Sequence, residues 1–385
     1  MDQFRSRILN RIRKMMGTPE NGSFPSLDGG GGASERVHQI RRFGADRSVI
    51  ERSGLCDALE DLSPAVRRNA AWALGNIGKP EDSKPLLQSA MRERCDMPRF
   101  AKCVAAVRCG ADVSDAWQIV ERFAERSFDG FYGVRKTAAT ADWGLDAVAS
   151  MWCRVLTQER SPVEPQKIEL EGMNERREFL LQEIAQNPDN RDAVLNLGLL
   201  GHPDDFEILF GLIHACGRRM HLTLCAALGY HGDPRAKGWL LDVLHAMDEN
   251  PGHGFASRAA AASGLGCMGL IGAADNLVQA LHDEARDFEG RPGAGLGIQR
   301  SVRTSILGAL GELQRHPNVL ESYLSNTDGC ATGGFYLSAM DGLWKIGNRQ
   351  RLVALSTKPA EISVNAAAVL QLLDDYSEVD VLPVP

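Results

Sequence analysis

Six histidines, His202, His214, His221, His231, His245 and His253, crowd into one part of the chain, and such density suggests a metal site. No two of them stand at the i, i+4 spacing that puts a pair of imidazoles on one helical face, as in H-E-x-x-H. His202 and His231 instead fall in Gly201-His202-Pro203-Asp204 and His231-Gly232-Asp233-Pro234, which read as polar helix corners, so no metal ligand is assigned. Gly290-Arg291-Pro292-Gly293-Ala294-Gly295-Leu296-Gly297 has the glycine content of a phosphate loop, without the G-x-x-x-x-G-K-[ST] pattern or the preceding buried strand that loop needs. A G-x-S-x-G elbow is missing, and Glu249, Glu284 and Asp287 are what solvated helix ends carry. Nine cysteines, an odd number without a C-x-x-C pair, signal neither a disulfide framework nor zinc; they read as reduced, small apolar side chains. No catalytic residue, metal or cofactor follows from any motif, and a non-catalytic protein is expected.

The elements that would have to position any site are repetitive. The stretch Val66-Arg67-Arg68-Asn69-Ala70-Ala71-Trp72-Ala73-Leu74-Gly75-Asn76-Ile77-Gly78 places small and apolar residues at helical spacing and stops at glycine. Lys79-Pro80-Glu81-Asp82 then opens a second helix. Similar units recur, and their glycines align at Gly44, Gly75, Gly110, Gly144, Gly198, Gly229, Gly266, Gly311 and Gly347, read as the corners between paired helices. Small residues before each glycine, such as Ala226/Ala227 and Ala259 to Ala262, allow neighbouring helices to approach closely. The prediction is an all-α array of about nine or ten helical pairs, a repeat architecture not limited by the size of a single core.

With V-R-R-N-A-A-W-A-L-G-N-I-G at 66–78 and R-A-A-A-A-S-G-L-G-C-M-G at 258–269, the chain resembles HEAT-repeat proteins, of the bacterial and archaeal HEAT-like type first associated with phycobilisome lyases. The resemblance implies a right-handed α-solenoid across residues 34–373. It also implies a charge ladder in which an Asp precedes the Arg or Lys of the next helix by six residues, as at Asp61/Arg67, Asp96/Lys102 and Asp129/Arg135. A lyase of that type would grip a tetrapyrrole in an apolar, Arg-bearing groove, so a phycobilin lyase-like chromophore chaperone or transferase is the alternative to a scaffold. HEAT-like DNA glycosylases use a basic concave face, against which the charge argues. Formal net charge is -7, and residues 1–58 hold ten Lys or Arg against seven Asp or Glu, leaving an acidic body unsuited to a long nucleic-acid groove.

Outside the array, residues 1–16 form a basic amphipathic helix in which Phe4, Ile8, Ile12 and Met15 share a stripe flanked by Arg5 and Arg11. Residues 17–33 are a Gly/Pro/Ser-rich tether, and 374–385 an acidic, loose tail. Three readings of the helix stay open: a cap on the array, a docking element for a protein groove or anionic membrane, and a cleaved presequence. No apolar run is long enough for a membrane span, and a cytoplasmic protein, peripheral to a membrane if the helix targets one, is expected.

The repeats are enlarged at 157–174, 248–254, 287–299 and 325–334, always before a helix of the same type, so these insertions line up as one ridge of loops. Several loops end in glycine and an aromatic. Phe131, Tyr132, Phe255, Phe288, Arg291, Phe335 and Tyr336 are therefore the candidate partner-binding rim; a hydrophobic staple onto the following helix is the other reading of such aromatics. The expected function is a repeat scaffold or adaptor that holds a protein partner in its curved face or along this ridge.

Overall fold

The computed structural model describes residues 31–46, 52–112, 114–116, 118–119, 170–246, 251–289, 296–324 and 334–377. Among them the regular elements are all helices. The first five are α1 (Gly31–Asp46), α2 (Arg52–Ala58), α3 (Pro64–Ile77), α4 (Ser83–Arg92) and α5 (Asp96–Arg108). Then follow α6 (Leu170–Gln186), α7 (Arg191–Leu200), α8 (Phe206–Cys216), α9 (His221–His231), α10 (Lys237–His245) and α11 (Pro251–Met268). The last six are α12 (Ala274–Glu289), α13 (Leu296–Glu312), α14 (Pro317–Ser322), α15 (Gly334–Ile346), α16 (Arg349–Ser356) and α17 (Ala360–Ser377). Helix α1 takes in the last three residues read as tether, and α17 runs four residues into the segment read as a loose tail.

Helix α3 shows why the unit folds as it does. Ser63 is extended and Pro64 occupies the first turn, where its missing N–H costs nothing. At the far end Gly78 turns left-handed (φ 69°) and its N–H returns to the Leu74 carbonyl. A proline-led 3-10 turn, Pro80–Asp82, then reverses the chain into α4; Pro203–Asp205 and Pro234–Ala236 do the same before α8 and α10. Alternate helices therefore stack in two rows. An inner row runs α1, α3, α5 and then α7, α9, α11, α13, α15, α17, while the even-numbered helices cover its outer side.

The aligned glycines have a different role from the one their spacing suggested. Gly44, Gly75, Gly198, Gly229, Gly266 and Gly311 lie inside inner-row helices, at the points where those helices cross their neighbours. At Gly229 a Cβ would come within 2.5 Å of Gly264 Cα and 2.7 Å of the Gly264 carbonyl oxygen, so α9 and α11 touch backbone to backbone. The chain turns instead at Gly78, Gly201, Gly232 and Gly269, three residues further on, with Gly110 and Gly347 the two aligned glycines that are corners. Hence the recurring G-x-x-G: the first glycine admits the next helix and the second ends its own.

The ladder read from the sequence is also built differently. The Asp61 side chain goes to Arg36 at 3.0 Å, and only its backbone carbonyl accepts from Arg67. Asp96 pairs with Arg99 and Lys345 rather than Lys102. The acid between Arg67 and Lys102 is Glu93, at 2.7 and 2.8 Å. Along the outer row a second series joins four units to the next: Arg52 to Asp82, Arg177 to Asp205, Glu207 to Arg235, and Glu321 to Arg351. Sequence spacing found the cations and misassigned the acids, because Glu93 ends the unit that Arg67 begins and reaches Lys102 in the next.

The enlarged connections are partly helical. Residues 170–174, 251–254 and 296–299 belong to α6, α11 and α13, and 287–289 to α12, so helices lengthen into segments read as loops.

Two outcomes test this packing. Gly229→Ala should destabilise by about 1–3 kcal/mol in denaturant unfolding, because backbone cannot yield to the added methyl. Gly238→Ala, with nothing within 4 Å, should be neutral or slightly stabilising. Burial raises the carboxyl pKa of Glu93, but Lys102 and Arg67 outweigh it and hold the group at about 2, below its ordinary 4.5. Its contribution is thus complete above about pH 4.5 and lost as pH falls toward 2, amounting to about 3 kcal/mol. Glu93→Gln should lower stability at pH 7 and flatten the acid limb of a pH–stability profile.

Candidate functional site

The C-terminal ends of α7, α9, α11 and α13 form an edge, and the first three inner helices lie along it. Helix C-termini carry unsatisfied carbonyls and a partial negative charge, which attract cations and N–H groups. Arg68 Nη1 donates to Gly229 O at 2.9 Å and to Cys267 O at 3.1 Å, in the last turns of α9 and α11. Arg41 donates to His231 O at 3.1 Å and Gly201 O at 3.3 Å, at the ends of α9 and α7. The Ala65 N–H meets Gly269 O at 3.3 Å, and the start of α5 meets Glu312 at the end of α13 through Cys95 Sγ and the Asp96 N–H. Here Lys345 bridges Asp96 at 2.9 Å and Glu312 at 2.5 Å, while burial and Asp96 push the Glu312 carboxyl upward. The inner helices of a first array, α1 to α5, are therefore joined along this seam to those of a second, α6 to α17.

Beneath α3 and α5 the seam opens into a small cleft that is open to solvent. Met97, Ala101, Val104, Ala105, Leu199 and Leu200 give it apolar walls, and Arg41, Arg68, Arg108, Trp72 and His231 face the same space. None of the three arginines has a carboxylate partner; Arg41 is held by Asn69 Oδ1 at 2.9 Å and Arg108 by Asn76 Oδ1 at 3.0 Å. Burial lowers all three guanidinium pKa values, Arg41 and Arg108 to about 10 and Arg68 to about 9, so each remains charged at neutral pH. Asp205 and Asp233, the nearest acids to Arg41, are taken by Arg177 and Arg235.

The two corner histidines join one another rather than a metal. His231 Nε2–H donates to His202 O at 2.9 Å, which leaves Nδ1 as acceptor for Arg41 Nη2 at 3.3 Å. Burial and Arg41 drive His231 well below the usual imidazole range, and burial with Arg177 takes His202 to about 4, so both are neutral. Burial pushes the thiols of Cys103, Cys109 and Cys267 up to about 12, far from a reactive thiolate. Such an arrangement presents three guanidinium groups without a carboxylate among the described residues, beside neutral imidazoles and protonated thiols.

Phe335 and Tyr336, the candidate rim residues whose side chains are described, do not line this cleft. Phe335 and Tyr336 open α15, half-buried against the core, with Phe335 edge-on to Tyr323 at 6.2 Å and under Arg303 at 5.9 Å. Phe255 and Phe288 lie within α11 and α12. Phe131, Tyr132, Arg291 and the helix residues Phe4, Arg5, Ile8, Arg11, Ile12 and Met15 lie outside the described residues. Sequence reasoning passed over Arg68 and Trp72, although a signal was present. Aligned on the crossing glycines, Arg68 corresponds to Leu222, Ala259 and Thr304, and Trp72 to Ala226, Ser263 and Gly308. Arg67, by contrast, recurs as Arg258 and Arg303.

Replacing Arg68 by Met, which keeps length and removes the donors, strands two helix-terminal carbonyls. A loss of about 2–3 kcal/mol is expected, with faster amide exchange at the ends of α9 and α11. Unchanged exchange there would mean that Arg68 does not hold the seam.

Among the described residues no helix is long and apolar enough to cross a membrane. No curated protein matches the chain. Residues 66–93, which are α3, its corner, α4 and Glu93, match the family model of the PBS lyase HEAT-like repeat. One unit of the chain is thus a HEAT-like repeat of the PBS lyase type by sequence, and its two-helix geometry recurs through the other described helices as an all-α array.

Proposed function

We propose that this protein is a non-catalytic scaffold that binds a protein partner on its outer row and connecting ridge, with residues 1–16 as a docking or targeting helix. The observation that carries this reading is the seam: the inner helices cap one another, so the curved face of the first array is already filled by the chain itself. What remains for a partner is the outer surface, with the candidates Phe255, Phe288, Phe335 and Tyr336 on α11, α12 and α15, and the segments that hold Phe131, Tyr132 and Arg291. The neutral histidines and high-pKa thiols of the seam favour binding over catalysis.

A chromophore chaperone or lyase is the second reading, favoured by the arginine and tryptophan cleft together with the repeat type matched at 66–93. Co-production with a bilin separates the two, because a scaffold stays colourless and a lyase takes up and transfers colour.

Removing residues 1–30 should leave the melting temperature unchanged and weaken partner association. Removing 1–46 should abolish a single cooperative transition, since it takes away Arg41, which caps α7 and α9, and Gly44, which crosses α3. Loss of cooperativity in the shorter deletion would make residues 1–30 a structural cap and end the targeting reading.

A further inference from the structure

We propose that the seam cleft is a binding site for a small carboxylate carried on an apolar body. The inference goes beyond the scaffold reading and does not depend on it.

Donor capacity is the first ground. A guanidinium has five N–H groups. Arg68 bonds only through Nη1, and Arg108 makes a single bond through Nη1, so Nε and Nη2 of both side chains remain uncommitted. Trp72 adds a buried indole Nε1–H with no hydrogen-bond partner. A buried donor left unmade costs about 1–3 kcal/mol, and a folded chain rarely keeps one without a use. All three side chains line the same space.

Charge is the second ground. Arg41, Arg68 and Arg108 face the cleft with no carboxylate in contact, and the acids nearest to Arg41 are already paired with Arg177 and Arg235. An incoming anion supplies the missing charge in a setting of low dielectric, where a guanidinium–carboxylate pair is strong.

The walls decide the rest of the ligand. Met97, Ala101, Val104, Leu199 and Leu200 offer surface to methylene or aromatic carbons, which a bare inorganic anion would leave uncovered. A planar carboxylate matches the guanidinium fork, and the indole N–H can bond one of its oxygens. Trp72 and Arg108 are the residues that would give the site its selectivity. Arg41 and Arg68 are held by the helix ends they cap and supply field more than contact.

The test uses the full chain with octanoate, octanol and inorganic phosphate as probes, read by calorimetry and by thermal shift. Octanoate should bind and raise the melting temperature, while octanol and phosphate at the same concentration should do neither. Trp72→Phe, which removes the N–H and keeps a ring, should weaken octanoate at least threefold, and Arg108→Gln at least tenfold. Both variants are first checked for an unchanged cooperative transition without ligand; if either fails to fold, Arg108→Lys, which keeps charge and loses the fork, replaces it with the same expected weakening. Equal binding of octanol would reduce the cleft to an apolar groove. Binding of phosphate as tight as octanoate would make it a bare anion site. Octanoate affinity untouched by the substitutions would place the ligand elsewhere, and each of these results overturns the proposal.

Discussion

The structure depends on the meeting of helix C-termini with cations from a distant part of the chain. Four inner helices of the second array end along one edge, and their last carbonyls have no partners within their own helices. Arg41 and Arg68 reach across from α1 and α3 to supply them, and the Ala65 N–H and the Cys95 thiol continue the series. Buried guanidinium groups are ordinarily expensive. Here several carbonyl oxygens and a helix dipole face each charge, so the cation and the helix ends stabilise one another.

That arrangement changes what a two-row helical array can offer. An open solenoid presents its concave side along its whole length, whereas here the first three inner helices and the second array cover each other. The closure leaves a gap where Trp72, Arg108 and the apolar side chains of α5 and α7 stand back from one another. The arginines that close the seam, Arg41 on α1 and Arg68 on α3, also give this gap its positive character.

The ion pairs follow the same logic at shorter range. Glu93 lies between Arg67 and Lys102, and several outer helices bond the next unit through pairs such as Arg177 with Asp205. These contacts join neighbouring units, in the manner expected of a repeat array in which each unit is stabilised mainly by those beside it. The seam adds long-range contacts that such an array does not require, between residues up to 249 positions apart in the chain.

Helix identity, the repeat and the two-helix unit could be read from local pattern, because small residues at helical spacing, terminal glycines and prolines act over a few positions. Val66 to Gly78 contains the crossing glycine and the corner glycine, and its copies determine the fold class. The pattern did not show which glycine does which, since both are small and three residues apart; only the neighbouring helix distinguishes Gly75 from Gly78. Nor did it show that Arg68 and Trp72, embedded in the most typical copy, are the positions where that copy departs from the others. Their partners are the ends of α9 and α11 and the walls of a cleft, set by how the arrays fold onto each other. Local spacing carries no information about that long-range contact, and the tertiary structure decided it.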